Sequence, residues 1–253
     1  MKRLIHKRLE AAWSLLRGLV NGVLGVAGVR LVSRNWGPRG HYPALETLVR
    51  LGLGPDLVVD VGAASGTWTE EFLGLFPRAH FLMIDPLEGN KLALEALSER
   101  DPRIHYWRGV AGTKAGDAEF VSSGDQSSLF TGSEFTGNMV QVPMARLDTL
   151  VSEHAIAGSL LIKIDVQGAE LQVLEGALAI LERCAALVIE LTVTPIYPDA
   201  PLATEVIAWL DDAGFVLFDI CSYAQRPRDG RLSQSDMLFV RKGSSWFGEQ
   251  GWS

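Results

Sequence analysis

Cysteine is scarce in this sequence. Its 253 residues include two cysteines, Cys184 and Cys221, which are far apart and form neither a Cys-x-x-Cys motif nor a Cys/His cluster. This usage argues against a disulfide framework and against a zinc site, and it is typical of proteins from a reducing compartment. We therefore expect a cytoplasmic protein.

An apolar run long enough to cross a membrane is also missing. Residues 18–29 form an uncharged stretch of twelve residues, whereas a membrane-spanning helix needs about 20. The stretch lies within residues 1–40, which hold eight Lys or Arg and one Glu. This pattern predicts a basic, apolar N-terminal helical arm that either contacts the inner face of an anionic membrane peripherally or packs on the domain. A signal peptide has a similar start, but the scarcity of cysteine and the enzyme-like remainder of the chain argue against one.

Net positive charge is confined to this arm. The formal net charge of the chain is −7, and because residues 1–40 carry +7, residues 41–253 carry −14. An acidic body is a poor surface for nucleic acid, since contacts to phosphate dominate that affinity. We therefore expect no nucleic-acid partner.

Several catalytic motifs are absent as well. The sequence has no G-x-S-x-G nucleophile elbow and no H-E-x-x-H zinc helix, which argues against the corresponding serine hydrolases and metalloproteases. No triad of metal ligands is evident, so a metal is not indicated, although Asp165 and Glu190 could hold Mg²⁺ together with water.

From residue 41 onward, strand-like apolar runs alternate with helix-like runs. Strands are predicted at 57–62, 80–86, 103–112, 118–123, 140–147, 159–166, 185–191, 215–220 and 235–242, and helices at 44–53, 69–76, 90–100, 147–154, 168–183 and 204–214. This alternation is typical of parallel βαβ units. We therefore predict a doubly wound, Rossmann-like α/β domain over residues 41–242, followed by a C-terminal tail at 243–253.

The segment VVDVGAASG, residues 58–66, ends the first strand and precedes a helix. A glycine at the end of a strand lets a ligand approach the backbone, and in doubly wound sheets ligands bind at this edge. The candidate cofactor-binding residues of this loop are Asp60, Gly62, Ala63, Ser65 and Gly66. The alternative role for Asp60 is that of a buried structural acid.

The glycine spacing bears on which cofactor the loop binds. The spacing is D-x-G-x-x-x-G, and Ala64 stands where a dinucleotide-binding fingerprint has its second glycine. A nicotinamide cofactor is therefore disfavoured, whereas the cationic S-adenosylmethionine (SAM) suits a glycine loop beside an acid. At the end of the next strand, Asp85 and the following Pro86 are candidates for binding the ribose, because a carboxylate accepts hydrogen bonds from both ribose hydroxyls. The alternative role for Asp85 is a helix cap.

With these motifs in place, the chain resembles the FkbM-type SAM-dependent methyltransferases over residues 55–242. The segments that carry the resemblance, in order, are VVDVGAASG, IDP, SSLF, RLDTL and LLIKIDVQGAELQVLEGA. The resemblance implies a class I methyltransferase sheet of about seven strands, with the last strand antiparallel. It also implies O-methylation of a hydroxyl on a sugar, a glycolipid or polysaccharide, or a polyketide-type natural product, with S-adenosylhomocysteine (SAH) as the product of the cofactor.

Two positions depart from the family pattern. Gln167 stands where the family more often has glutamate, and Asp85 stands where it more often has glutamate before the proline. The first change puts an acidic or metal-binding role at that position in doubt, whereas the second keeps the ribose chemistry. No N/D-P-P-Y/F motif follows the strand predicted at 159–166, which argues against amino-group methylation of nucleic-acid bases or of glutamine.

The segment KIDVQGAE, residues 163–170, supplies the catalytic candidates Lys163, Asp165 and Glu170. A hydroxyl acceptor loses a proton on methylation, so a general base is useful. Asp165 ends a strand that we expect beside the first one, and Lys163 shares its face because side chains alternate along a strand. The alternative role for Asp165 is a helix N-cap. Glu170 falls in the first turn of a helix, where the macrodipole favours its charge, so it acts either in catalysis or in shaping the junction.

Other residues and other functions remain open from the sequence. Ser128 could hydrogen-bond the cofactor or form a turn, Glu190 could line the acceptor pocket, and His41 could cover the cofactor as a lid or be structural. The competing functions are an NAD-binding oxidoreductase and a non-catalytic binding or scaffold protein of the same fold. For the leading function, the predicted partner is a small-molecule or glycan hydroxyl acceptor.

Overall fold

The computed structural model describes residues 38–122, 138–196 and 199–247. Most of the predicted N-terminal arm, the candidate Ser128 and the end of the C-terminal tail lie outside these residues. Gly40–Ser253 forms one compact unit, and the elements below belong to it. The division of the chain into arm, domain and tail stays a prediction.

The elements alternate along the chain as predicted, and apart from the two elements discussed below their bounds differ from the prediction by a few residues. In chain order they are α1 (His41–Arg50), β1 (Leu57–Val61), α2 (Thr67–Phe72), β2 (His80–Ile84), α3 (Glu88–Arg100), β3 (Ile104–Trp107), β4 (Val110–Ala111), β5 (Gly116–Ser122), β6 (Asn138–Ala145), α4 (Leu147–Glu153), β7 (Leu160–Ile164), α5 (Glu170–Glu175), β8 (Cys184–Thr192), α6 (Ala203–Asp212), β9 (Phe215–Gln225) and β10 (Leu232–Arg241). Short 3-10 turns lie at Leu181–Arg183 and Ser245–Phe247.

Seven of these strands form the main sheet, in the order β3-β2-β1-β7-β8-β10-β9. Strands β1, β2, β3, β7 and β8 run parallel, whereas β10 lies antiparallel between β8 and β9. This arrangement confirms the predicted Rossmann-like sheet with an antiparallel last strand. The strand order reverses direction between β1 and β7, so the carboxyl ends of these two strands mark the place where such sheets bind ligands.

Helices cover both faces of this sheet because its central strands are apolar on both sides. Every residue of β1 and of β7 is buried. On one face, Val59 and Ile162 pack with α4 in one core cluster, and on the other face Val58 and Leu161 pack with α1 in a second. The pattern of continuous burial is the one expected of parallel strands between two layers of helices.

The predicted strand at 103–112 is in fact two strands in different sheets. The chain leaves β3, and β4 joins a separate three-stranded sheet of order β4-β6-β5. Gly109 lies at the break, where an added Cβ would stand 2.4 Å from the Trp107 ring and 2.5 Å from the Pro143 carbonyl oxygen. Only a residue without a side chain fits this crossing, and it turns the chain out of the main sheet.

The predicted helix at 168–183 is much shorter than expected. Helix α5 ends at Glu175, and the chain continues through turns to the 3-10 turn at Leu181–Arg183. The carbonyl of Gly176 accepts a hydrogen bond from the backbone N–H of Asp148, and a Cβ on Gly176 would stand 2.1 Å from the carbonyl oxygen of Gly112. These contacts from other parts of the chain replace the next helical turn.

Across the described ranges, no helix is both long enough and apolar enough to cross a lipid bilayer.

Candidate active site

A cavity of about 420 Å³ opens at the carboxyl edge of the sheet, between the ends of β1 and β7. This volume lies in the range of about 300–1,000 Å³ that is usual for small-molecule sites. One end of the cavity lies beside β2 and the start of α3, and the other lies beside the ends of β7, β8 and β10. We call these the β2 end and the β8 end.

Gly62 brings the two central strand ends into contact. Its φ of 78° lies in the left-handed region, and its N–H donates to the carbonyl oxygen of Ile84 over 2.9 Å. A Cβ at this position would stand 1.8 Å from the backbone carbonyl oxygen of Asp165. The glycine is therefore required both by the conformation of the loop and by its close approach to the end of β7.

The other loop residues predicted to bind the cofactor are spread around the loop. Ala63 is buried in the core, Gly66 is buried against the side chains of α3, and Ser65 is exposed. None of these three is among the described residues that line the cavity, whereas Gly62 and Ala64 are. The loop therefore presents backbone rather than side chains to the cavity.

Asp85 lies at the β2 end and is almost fully buried. Its carboxylate accepts hydrogen bonds from the N–H of Ala64 at 2.9 Å, the N–H of Leu87 at 2.9 Å and the side-chain amide of Asn90 at 3.0 Å. Burial raises the pKa of Asp85, and these three hydrogen bonds oppose the rise. Asp85 thus holds the glycine loop against the start of α3, and it also lines the cavity together with Pro86 and Asn90.

An apolar wall adjoins Asp85. Leu87, Val110 and Phe120 pack together in a small cluster, and all three line the cavity. Phe120 belongs to β5 and Val110 to β4, so the separate three-stranded sheet supplies most of this wall. The β2 end therefore combines a carboxylate with an apolar surface, which fits a nucleoside with its ribose on the acid and its base on the wall.

Asp60 and Lys163 lie beneath the loop rather than in the cavity. Both are buried, and the Lys163 ammonium lies 3.1 Å from Asp60 and 3.5 Å from Asp165. It also donates to the carbonyl oxygen of Gly62 over 2.7 Å. Burial alone would lower the pKa of Lys163, but the charges of the two aspartates raise it above its ordinary value. Lys163 is therefore a fixed cation that joins β1, the loop and the end of β7.

Asp165 contacts Lys163 with one carboxylate oxygen and lines the cavity with the rest of its partly exposed side chain. Its backbone N–H donates to the carbonyl oxygen of Val61 over 3.0 Å, which continues the pairing of the two strands. As period-2 alternation predicted, Lys163 on β7 and Asp165 just after its end lie on the same side, and their side chains are in contact. Of the three catalytic candidates, Asp165 is the one that reaches the cavity.

The β8 end holds a cluster of two carboxyl groups and two amides. The side-chain amide of Gln167 donates to Glu190 over 2.5 Å and to Asp165 over 3.2 Å. The side-chain amide of Gln234 donates to the same Glu190 oxygen over 2.7 Å and to the Gln167 carbonyl over 3.1 Å. Burial and the neighbouring charges of Asp165 and Asp236 raise the pKa of Glu190 to about 8.

Glu170 has a different role from Asp165. Its side chain is buried and accepts a hydrogen bond from the N–H of Gly168 over 2.8 Å. That contact holds a turn in which both Gln167 and Gly168 have positive φ, at 52° and 102°. Burial raises the pKa of Glu170 to about 7. Glu170 is not among the residues that line the cavity. Its contact with Gly168 instead shapes the junction that points Gln167 towards Glu190.

His41 lies outside the described cavity lining, and both of its ring nitrogens have partners. Trp68 donates its indole N–H to Nδ1 over 3.0 Å, and Nε2 lies 3.1 Å from Asp236. Because an indole nitrogen only donates, Nδ1 must be unprotonated, and the proton sits on Nε2 facing the carboxylate. His41 therefore fastens α1 to α2 and β10.

The residues that sequence reasoning missed lie outside the motifs. Asn90 contacts Asp85 from the first turn of α3, and Gln234 contacts Glu190 from the distant strand β10. Neither belongs to a motif, so only the folded structure shows their contacts. Among the residues that the structure describes, no group of three His, Cys, Asp or Glu is arranged to hold a metal ion.

Comparisons with known proteins agree with this picture at the level of the family. A model of the methyltransferase FkbM domain matches residues 60–217, which is well over half of the chain. A search of curated protein sequences finds no match.

Three solved structures are similar to this chain, all at low identity. A precorrin-6y C5,15-methyltransferase from Geobacter metallireducens is 12% identical, with 84% of this chain and 93% of that chain covered and a TM-score of 0.43. A magnesium protoporphyrin IX methyltransferase from Synechocystis is 10% identical, with 79% of this chain and 77% of that chain covered and a TM-score of 0.45. A candidate RNA methyltransferase from Pyrococcus horikoshii is 14% identical, with 79% of this chain and 85% of that chain covered and a TM-score of 0.43.

Proposed function

The chain belongs to the FkbM methyltransferase family, and from this premise we propose that it methylates a hydroxyl group of a neutral sugar, a glycolipid or polysaccharide, or a polyketide-type natural product. SAM is the cofactor. Membership of the family favours this function over the NAD-dependent oxidoreductase, an alternative that the glycine loop alone did not exclude.

The residues present at the β2 end fit SAM. Asp85 and Asn90 would hold the ribose hydroxyls, and the apolar wall of Leu87, Val110 and Phe120 would hold the base. When bound, SAM supplies a methyl group on a positively charged sulfur. The carboxyl groups along the cavity suit such a cation, because the described lining residues include Asp85, Asp165 and Glu190 but no Lys, Arg or His.

The observation that carries the choice of acceptor is the chemistry of the β8 end. Asp165, Gln167, Glu190 and Gln234 present carboxyl and amide groups there without a cationic side chain among the described lining residues. Carboxylates and amides hydrogen-bond hydroxyl groups well, whereas phosphate recognition relies on Arg, Lys or backbone N–H groups. A neutral, hydroxyl-rich acceptor therefore fits better than a nucleic acid.

The residues of this end have distinct tasks in the proposed reaction. The amides of Gln167 and Gln234 orient Glu190, and Lys163 fixes Asp165 from below. The two carboxyl groups accept the hydrogen bond of the acceptor hydroxyl and take its proton as the oxygen is methylated. Holding the hydroxyl in line with the methyl carbon is the larger contribution, since alignment can replace much of the entropic cost of a bimolecular step.

Transfer of labelled methyl groups from SAM tests this proposal. The full chain is incubated with methyl-labelled SAM and panels of neutral glycosides, polyketide alcohols, sugar phosphates and RNA. We expect label in a neutral hydroxyl acceptor and none in the phosphorylated panels. Label in RNA or in a sugar phosphate would overturn the choice of acceptor, and SAM binding without transfer across every panel would favour a non-catalytic binding protein.

A further inference from the structure

The β8 end concentrates acidic groups around Glu190. Asp165 approaches it from β7 and Asp236 faces it from β10, where Asp236 and Glu190 are directly paired positions. The basic side chains of this region contact the other acids, since Lys163 lies against Asp165 and Asp60, and His41 contacts Asp236. Glu190 thus faces two acids while its contacts to neutral groups come from the amides of Gln167 and Gln234.

The contacts of Glu190 place a proton on this pair of acids. One amide nitrogen, that of Gln167, bridges Glu190 and Asp165, so the two carboxyl groups share one site. Two carboxylates that share a site do not both ionise readily, and one of them keeps a proton. Lys163 contacts Asp165 and not Glu190, so the proton belongs on Glu190.

We propose that Asp165 and Glu190 share one proton in the free protein and release it when the sulfonium cation of SAM enters the cavity, which makes the pair a base only after the cofactor has bound. This inference rests on the proposed function, because it takes the cavity to be the SAM site. A cation beside the pair favours its doubly ionised form, whereas the neutral thioether of SAH does not. The raised pKa of Glu190, about 8, means that most of the free protein carries this proton at pH 7.

The release of the proton matches the charge balance of the reaction. In methyl transfer the acceptor O–H bond and the sulfur–methyl bond break, the oxygen–methyl bond forms, and the sulfur keeps the electron pair and loses its positive charge. The proton of the hydroxyl then moves to Glu190, which lost its own proton when SAM bound. The cavity therefore holds the same total charge before and after transfer, and the re-protonated pair is the form that the free protein prefers.

Isothermal titration calorimetry on the full chain tests the proposal without knowledge of the acceptor. Titrations with SAM and with SAH at pH 7, each in phosphate and in Tris, give the number of protons released on binding from the dependence of the heat on the buffer. We expect SAM to release about one proton and SAH close to none. The affinity for SAM should also rise by roughly tenfold per pH unit below about pH 8, while the affinity for SAH changes little.

A matched pair of variants assigns the proton to Glu190. In Glu190→Gln the amide can take the same hydrogen bonds, and SAM should bind without releasing a proton. Glu46→Gln, at an exposed glutamate paired with Arg50, should release the proton as the natural chain does. Circular dichroism and thermal unfolding show that both variants are folded, and Asp165→Asn provides a second variant in which the release should be lost.

Three outcomes decide the matter. Proton release with SAM that Glu190→Gln abolishes supports the proposal. SAM binding to the natural chain without proton release, or equal release by Glu190→Gln, overturns the proposal and leaves the methyltransferase function intact. No binding of SAM or SAH to the natural chain overturns both the proposal and the proposed function.

Discussion

Asp60 and Lys163 occupy paired positions on the neighbouring parallel strands β1 and β7, and their side chains form a buried ion pair at 3.1 Å. Thr69 donates to the other Asp60 oxygen over 2.8 Å. The pair therefore links the two strands whose ends form the cavity. A buried charge that loses its partner is costly, whereas a missing pair is much less so.

This relationship predicts the behaviour of two substitutions. Lys163→Met leaves Asp60 charged and unpaired in the core, and should lower the free energy of unfolding by about 3–5 kcal/mol. Adding Asp60→Asn to the same chain removes the buried charge that has lost its partner, and should restore a large part of the lost free energy of unfolding. Urea denaturation of the two variants measures both changes. Equal stability of the single and double variants would show that the ion pair does not matter in this way.

The close approach at Gly62 yields a prediction for the loop. Gly62→Ala places a Cβ against the Asp165 carbonyl oxygen and requires a left-handed residue, so it should cost at least about 2 kcal/mol and weaken SAH binding. Gly74→Ala is the control, because nothing lies within 4 Å of its added Cβ. Thermal unfolding and calorimetry compare the two. A stable Gly62→Ala variant with normal SAH affinity would contradict the role given to this glycine.

Part of the loop and of its surroundings could be read from the sequence. Continuous apolar runs predicted the buried parallel strands, and period-2 alternation placed Lys163 and Asp165 on one face. The sequence could not show that Lys163 turns under the loop to meet Asp60, because that contact depends on the register of strands far apart in the chain. It also could not separate Ala64, which lines the cavity, from Ala63, which is buried.

Asp85 provides a test of the cofactor site. Asp85→Asn should weaken the affinity for SAH by roughly 10–100-fold, because a hydrogen bond to a charged group contributes about 1.5–3 kcal/mol. Asp101→Asn, which removes an acid paired with Arg103 away from the cavity, should leave SAH affinity unchanged. Titration calorimetry measures both. Unchanged affinity in Asp85→Asn would remove Asp85 from the ribose site.

The buried glutamates predict how stability depends on pH. The ordinary pKa of glutamate is about 4.3, and it is raised to about 8 for Glu190 and about 7 for Glu170. Since the folded state binds these protons more tightly than the unfolded state, the stabilisation is complete below about pH 4 and is lost as the pH rises to 8. Glu190 and Glu170 therefore lower the stability of the natural chain between pH 5 and pH 8. Burial lowers the pKa of His105 and His154, which contributes in the opposite direction over the same range, so the glutamate contribution is measured by comparison with variants.

Neutral isosteres separate the two contributions. Glu190→Gln and Glu170→Gln should each flatten this decline, and Glu190→Gln should be more stable than the natural chain at pH 8 by about 1 kcal/mol or more, given 1.36 kcal/mol per pKa unit. Differential scanning calorimetry across the pH range measures the effect. A difference in melting temperature between each variant and the natural chain that does not change from pH 5 to pH 8 would contradict the assignment.

The basic arm predicts membrane attraction that is independent of the site. Replacing Lys2, Arg3, Lys7 and Arg8 with Gln should weaken sedimentation with phosphatidylserine vesicles by at least about tenfold, since each basic residue near an anionic surface contributes about 1 kcal/mol. SAH affinity should not change. If the natural chain does not sediment with such vesicles, the alternative in which the arm packs on the domain is favoured.

The contacts at the β8 end could not be predicted from the sequence. Gln167 stood out only as a departure from a family pattern, and its meaning lies in contacts with Glu190 and Gln234. Those partners lie on β8 and β10, and β10 inserts between β8 and β9 against the order of the chain. The register of an inserted antiparallel strand has no short sequence signal, so the cluster could not be assembled from motifs.

The pairing of β1 with β7 also bears on the stage of folding at which the protein becomes able to bind its cofactor. Leu57 pairs with Leu160, so the central strands join segments that are more than a hundred residues apart, and closure over such a separation is slow compared with the formation of local structure. Gln234, which also lines the cavity, comes from a segment still further along the chain. Local structure alone therefore does not form the cavity, and ligand binding stabilises only a molecule in which these distant segments have already come together.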